Sequence, residues 1–177
     1  GVIVPQVASP TEVERIVEWC KYPPIGKRSY GVARAQGYGA DFDRYVETWN
    51  ERSTILIQIE SIAGVEAVNE LLAHEEVDGA MVGPYDLSGS LGIPGHLSDA
   101  RVTEACVGVI NACRRHRKAC GTQLVEPTEQ GVRDALASGY SFVVLASDVF
   151  VLWKRSERMR NLVGRVQNAA AVEEKRS

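Results

Sequence analysis

Residues 54–87, TILIQIESIAGVEAVNELLAHEEVDGAMVGPYDL, decide the fold. Thr54 to Glu60 is an apolar, β-branched run of strand length. Gly64 to His74 then repeats apolar residues at Val65, Val68, Leu71 and Leu72, one side of a helix. Ala80 to Val82 is a short buried strand that ends at Gly83-Pro84-Tyr85-Asp86. Strand, helix, strand at this spacing is a unit of parallel sheet with a right-handed crossover. One feature is irregular: strands inside parallel sheets are usually apolar to the end, yet this one carries Gln58 and Glu60 on the same parity.

The same alternation extends outward in both directions. GVIVPQV, residues 1–7, is strand-like, and Ser9-Pro10-Thr11-Glu12 offers an N-cap with proline at the first helical position, so a helix follows to about Trp19. KYPPIGKRSYGVARAQGYGADF, residues 21–42, is a long irregular connection of the kind that tends to be functional. Phe42, Tyr45, Val46 and Trp49 mark one face of a helix over 42–52. Beyond the opening stretch, a glycine-rich loop leads to a helix from Asp99 to Arg117, a strand over Ala119–Val125 and a helix over Thr128–Ala137. A strand over Phe142–Ala146 and a long helix from Ser147 complete the series. Five strands alternating with helices predict one α/β domain over 1–170 built on a parallel sheet, with a charged, disordered tail over 171–177. In such sheets ligands bind at the carboxyl ends of the strands, here just past Val7, Glu60, Val82, Val125 and Ala146.

Composition narrows the partners. The chain has 177 residues, 45% hydrophobic and 24% charged, and a net charge of −3 without a concentrated basic surface, which gives no reason to expect nucleic acid or an anionic membrane. No run of ~18 apolar residues and no signal-peptide pattern is present, so the expected location is cytoplasmic. The four cysteines are too few for a secreted disulfide framework and read as reduced thiols. Cys106, Cys113, His116 and Cys120 follow C-x6-C-x2-H-x3-C, which matches no common zinc pattern; Cys106 and Cys113 share a helix face and read as small core residues. Of the three histidines, only His96 falls near the expected cavity, and each reads as a surface residue.

Gln58 and Glu60 point the same way from one strand, and Asp86 follows the next strand at equivalent depth. Neighbouring strand ends lie ~4.8 Å apart, so the two carboxylates can share one divalent ion, and a site with few protein oxygens suits Mg²⁺ or Mn²⁺. The other reading of Glu60 is a helix cap, or an ion pair with Arg28 or Arg34. The loop from Gly83 to Gly92 can cradle an anion such as a substrate carboxylate with its backbone N–H groups, or serve as a flexible connection. It lacks the order of a P-loop or of a dinucleotide fingerprint, and no G-x-S-x-G elbow is present.

LIQIES (56–61) followed by VDGAMVGPYDLSGSLGIPG (77–95) resembles the metal-binding core of the HpcH/HpaI aldolases, the class II pyruvate aldolases that include relatives of the citrate lyase β subunit. KYPPIGKRSYG (21–31) and RAQGYG (34–39) resemble that family's Y-P-P-x-G-x-R and R-A-x-x-aromatic-Gly segments, and GVIVPQV its mid-barrel strand. The resemblance implies a (β/α)8 TIM-barrel fold of which this chain supplies the fourth to the eighth units; a barrel of this kind runs to ~250 residues. It implies Glu60 and Asp86 as metal ligands, with Mg²⁺, Mn²⁺ or Co²⁺ as the ion. It also implies Gln58 as a contact to the bound 2-oxo acid, and the Tyr85 and Asp86 amides as contacts to its carboxylate. Tyr85 stands where a small residue is usual in the family, which bears on the aldehyde side of the pocket. The implied reaction is cleavage of a 4-hydroxy-2-oxo acid to pyruvate and an aldehyde, or its reverse. The family's catalytic histidine and its 2-oxo-acid-gripping arginine belong to the earlier units, so the catalytic base is expected to be missing from this chain. The rival expectation is a non-catalytic module that binds a metal and a 2-oxo acid or contributes to an assembly. Either way, exposed apolar strand edges make a homo-oligomer the expected state.

Overall fold

The computed structural model describes residues 1–174, with side chains placed through residue 167; residues 175–177, the end of the charged tail, lie outside the described residues. The elements run β1 (Val2–Val4), α1 (Pro10–Cys20), α2 (Phe42–Arg52), β2 (Ile55–Ile59), α3 (Ile62–Ala73) and β3 (Gly79–Val82). They continue with α4 (Pro84–Ser90), α5 (Ala100–His116), β4 (Ala119–Leu124), α6 (Glu129–Ala137), β5 (Phe142–Leu145) and α7 (Asp148–Glu174). The strands form one sheet in the order β1-β2-β3-β4-β5, every pair parallel.

Strand parity divides the sheet into two faces. Ile55, Ile57 and Ile59 of β2, Ala80 and Val82 of β3 and Cys120 of β4 are buried against Val68, Leu71 and Leu72 of α3 and Val109, Ile110 and Cys113 of α5. Cys113 and Cys120 are therefore core residues, with Cys106 packed against the same cluster. The opposite face carries Leu56, Gln58, Met81, Gly121 and Phe142, and it stays open because β1 and β5 do not pair with each other. Val2, Ile3 and Leu145 on the two edge strands are exposed, as are Val149, Leu152, Leu162 and Val166 along α7.

Local chemistry fixes the element boundaries. Ser9 and Glu12 form a reciprocal capping box at α1: Ser9 Oγ accepts from the Glu12 N–H at 3.4 Å, and Glu12 Oε2 accepts from the Ser9 N–H at 2.9 Å. The strand expected over residues 1–7 stops at Val4, because Pro5 has no N–H for the ladder and Gln6 turns into the left-handed region at φ 58°. The long connection is held by Arg28, whose guanidinium lies 4.0 Å from the Trp49 ring centroid, 4.8 Å from that of Tyr22 and 5.3 Å from that of Tyr45. Within it, Arg34–Gly39 forms a 3-10 turn.

The stretch expected to be a loop over Gly83–Gly92 is instead mostly helical. Pro84 presets the first turn of α4, Leu87 is fully buried, and Ser88 Oγ donates to the Tyr85 carbonyl at 2.6 Å while accepting from the Gly95 N–H at 2.8 Å. These contacts outweigh the poor helix propensity of two serines and a glycine.

Candidate active site

Glu60 directly follows β2 and is only 4% exposed, on the same parity as Gln58. Both carboxylate oxygens are held: Oε1 accepts from the Gln6 N–H at 2.9 Å and Oε2 from Gln58 Nε2 at 2.7 Å. The left-handed turn at Gln6 is what aims that N–H at the carboxylate. Neither alternative role for Glu60 is used: Ser61 caps α3, accepting from the Gly64 N–H at 3.1 Å, and Arg28 is stacked among aromatic rings.

Gly83 is the neighbour that lets Glu60 sit there. Its N–H donates to the Ile59 carbonyl at 3.1 Å, continuing the ladder past Val82. A Cβ at this position would lie 2.6 Å from Glu60 Oε2 and 3.0 Å from Gln58 Nε2. No side chain larger than hydrogen fits without moving the carboxylate.

Asp86 lies one turn further, in the first turn of α4, exposed and facing the same mouth. Burial pushes the Glu60 carboxyl above its ordinary range; the Gln6 amide pulls it back, and the Asp86 charge raises it again. The two carboxylates therefore repel across a shared opening. Among the described residues, neither is in an ion pair with a lysine, arginine or histidine.

Asp86 and Gln58 line a cavity of ≈ 500 Å³, while Glu60 is buried beside it, hydrogen-bonded to Gln58. Gln58, Gly83, Tyr85 and Asp86 form one end, and Gln123, Phe150 and Trp153 the other. Tyr85 leans its ring toward Gly95, where a Cβ would lie 3.5 Å from the phenol oxygen, so it walls the cavity from the side. His96 is exposed, and it is the adjacent Leu97 that lines the cavity. All four residues singled out from sequence, Gln58, Glu60, Tyr85 and Asp86, thus gather at one place. Gln6, Gln123, Phe150 and Trp153 were not singled out, although Gln6 and the helix after β5 do follow strand ends.

A family model for the HpcH/HpaI aldolase/citrate lyase proteins matches residues 1–154. The chain belongs to that family. It is 36% identical over 158 residues to a 5-keto-4-deoxy-D-glucarate aldolase of Shigella dysenteriae, covering 89% of this chain and 60% of that one. It is likewise 36% identical over 154 residues to a 2-keto-3-deoxy-L-rhamnonate aldolase of Salmonella dublin, covering 84% and 55%. The crystal structure of an HpcH/HpaI aldolase/citrate lyase family protein from Burkholderia cenocepacia superposes with a TM-score of 0.79 at 27% identity, over 91% of this chain and 63% of that one. The chain thus spans about three-fifths of the length of these HpcH/HpaI relatives. Its five-stranded open sheet is part of the family's α/β barrel.

Proposed function

We propose that this chain carries the metal- and 2-oxo-acid-binding portion of an aldolase that cleaves a 4-hydroxy-2-oxo acid to pyruvate and an aldehyde, or joins them. The observation that carries the reading is the proximity of the Glu60 and Asp86 carboxylates, with Gln58 hydrogen-bonded to Glu60 and lining the same cavity as Asp86, in a chain whose relatives are aldolases.

The donor set fits a hard divalent cation. Two carboxylates that raise each other's energy, with no cationic side chain paired to them among the described residues, suit Mg²⁺ or Mn²⁺, which complete their shells with water and substrate oxygens. Glu60 and Asp86 would hold the ion, and when bound it supplies Lewis-acid stabilisation of the negative charge that develops on the 2-oxo acid. The remaining work falls to the chain itself. Gln58 orients the 2-oxo acid with its amide. The Tyr85 and Asp86 N–H groups, in a helical first turn without intrahelical acceptors, receive the carboxylate. Leu97, Phe150 and Trp153 shield the reacting carbons from water. In the cleavage direction the C3–C4 bond breaks, its electron pair forms the pyruvate enolate, the 4-hydroxyl loses its proton to become the aldehyde, and C3 is then protonated. No residue of this chain is assigned as the acceptor of the 4-hydroxyl proton. A cytoplasmic, self-associating protein is the setting that fits these features.

Thermal unfolding tests the reading. Mg²⁺ or Mn²⁺ together with pyruvate raises the melting temperature of the wild type, and ligand at a hundred times its Kd contributes about 2.7 kcal/mol. Glu60→Ala abolishes the rise. An equal rise in that variant contradicts the assignment, and binding without turnover of 4-hydroxy-2-oxo acids favours the non-catalytic module.

A further inference from the structure

The seven-residue helix α4 carries one of the two carboxylates, and a helix that short is not stable on its own. Bonds to its surroundings set its orientation. At its start, the Gly83 N–H donates to the Ile59 carbonyl at 3.1 Å, tying the segment to the end of β2 just before Glu60. At its end, Ser90 Oγ accepts from the Ile62 N–H at 3.1 Å, tying the last residue of α4 to the first residue of α3, just after Glu60 and Ser61. The two links close a ring, with Glu60 on one side of it and Asp86 on the other. Leu87 in the core and Ser88, bonded to Gly95, anchor the helix to the rest of the fold.

Helical spacing makes the second link specific to the site. Asp86 and Ser90 are four apart, so they lie on one face of α4, one turn from each other. The face that Ser90 presents to α3 is therefore the face on which Asp86 meets the Glu60 charge. Ile62 opens α3, and its N–H has no acceptor within that helix. The N-cap, Ser61, satisfies the Gly64 N–H instead, so Ser90 supplies from another element the acceptor that α3 lacks there. Because Ser90 is exposed, its contribution to stability is small, and water can take over the Ile62 N–H when the hydroxyl is removed. A water cannot fix the distance between two elements, and that is the role left to the hydroxyl.

We infer that Ser90 is a positioning residue: by holding α4 to the start of α3 it sets the separation of the Glu60 and Asp86 carboxylates, and so selects Mg²⁺ or Mn²⁺ over Ca²⁺. This rests on the metal-binding reading of the pair. Mg²⁺ demands near-ideal geometry at about 2.0–2.1 Å, whereas Ca²⁺ accepts about 2.3–2.6 Å and irregular shells. A rigid pair of ligands favours the smaller ion, and a loosened pair loses that advantage.

Electron paramagnetic resonance of Mn²⁺ in the presence of pyruvate, with Ca²⁺ as competitor, measures both affinities in the whole chain. Wild type prefers Mn²⁺. Ser90→Ala weakens Mn²⁺ binding about three- to tenfold, the worth of one hydrogen bond, and leaves Ca²⁺ within about twofold, so the preference narrows. Ser90→Thr keeps the acceptor and the wild-type preference. Ile62→Pro removes the donor at a first helical position that tolerates proline, after a Ser61 already in the extended conformation that proline requires of its neighbour. It narrows the preference in the same way, so the claim stays open to contradiction if one variant misfolds, and adding Ser90→Ala to it changes nothing further. An unchanged preference in either variant, an equal loss of both ions, or no rescue by Ser90→Thr overturns the role of Ser90 and leaves the metal reading standing. Absence of pyruvate-dependent Mn²⁺ binding in wild type overturns both.

Discussion

Gly83 has its meaning in what it leaves room for. With a Cβ due 2.6 Å from Glu60 Oε2, Gly83→Ala forces the carboxylate off its Gln6 and Gln58 partners. Chemical denaturation should register a loss of about 1–3 kcal/mol from overpacking, together with loss of the Mg²⁺–pyruvate response. A variant as stable as wild type would show that the carboxylate relaxes freely. Glu60 itself carries a pH signature in the metal-free protein. Burial, and to a lesser degree the Asp86 charge, hold its carboxyl above the ordinary 4.5, so between that value and the raised one the native state binds more protons than the unfolded state. Stability of the metal-free protein therefore falls as pH rises through this window. Glu60→Gln should flatten that fall in denaturation curves taken between pH 4 and 7; an identical slope would place the titration elsewhere. Gln58 and Glu60 stand out in the sequence because a polar pair of equal parity at a strand end breaks an apolar run, and Asp86 because it follows the next strand. Gln6 does not, since it acts through a backbone N–H set by a left-handed turn, and Gln123 does not, since strand register is what brings it to the cavity.

At the scale of elements, the long helices were legible from their repeating apolar face and the strands from short apolar, β-branched runs bounded by turn residues. α4 was not, being seven residues with serine and glycine among them; its helix depends on Leu87 reaching the core and Ser88 bridging to Gly95. The long connection before α2 shows the same dependence on contacts distant in sequence. Arg28 stacks against Tyr22, Tyr45 and Trp49, Tyr30 stacks on Tyr22 at 4.8 Å, and Trp49 Nε1 donates to the Cys20 carbonyl at 2.7 Å. Arg28→Ala should lower stability by about 1–2 kcal/mol and speed tryptic cleavage within residues 21–41 more than elsewhere. Uniform cleavage in both proteins would mean that the connection is ordered by other contacts. Ser9→Ala should cost about 1 kcal/mol through loss of the α1 cap, read from the same denaturation curves.

For the molecule as a whole, the five-stranded sheet leaves apolar residues at both edges, and α7 presents Val149, Leu152, Leu162 and Val166 to solvent. Edges and faces of this kind are covered in a stable protein, so light scattering coupled to size exclusion should give a mass above the monomer's 19.3 kDa at micromolar concentration. Replacing Leu152 and Leu162 by glutamate should shift it downward; a monomer in both cases would refute self-association. The parallel sheet was legible as repeated β/α units and its place in a barrel through the family resemblance, whereas the aromatic wall from α7 was not, because Phe150 and Trp153 reach the cavity only once that helix folds back past β5. The central claim is that Glu60 and Asp86 act together on one divalent ion. Electron paramagnetic resonance of Mn²⁺ titrated into the protein with pyruvate counts bound ions directly. One tightly bound Mn²⁺ per chain in wild type, lost in Glu60→Gln and in Asp86→Asn alike, is the result predicted; undiminished binding in both variants would contradict it.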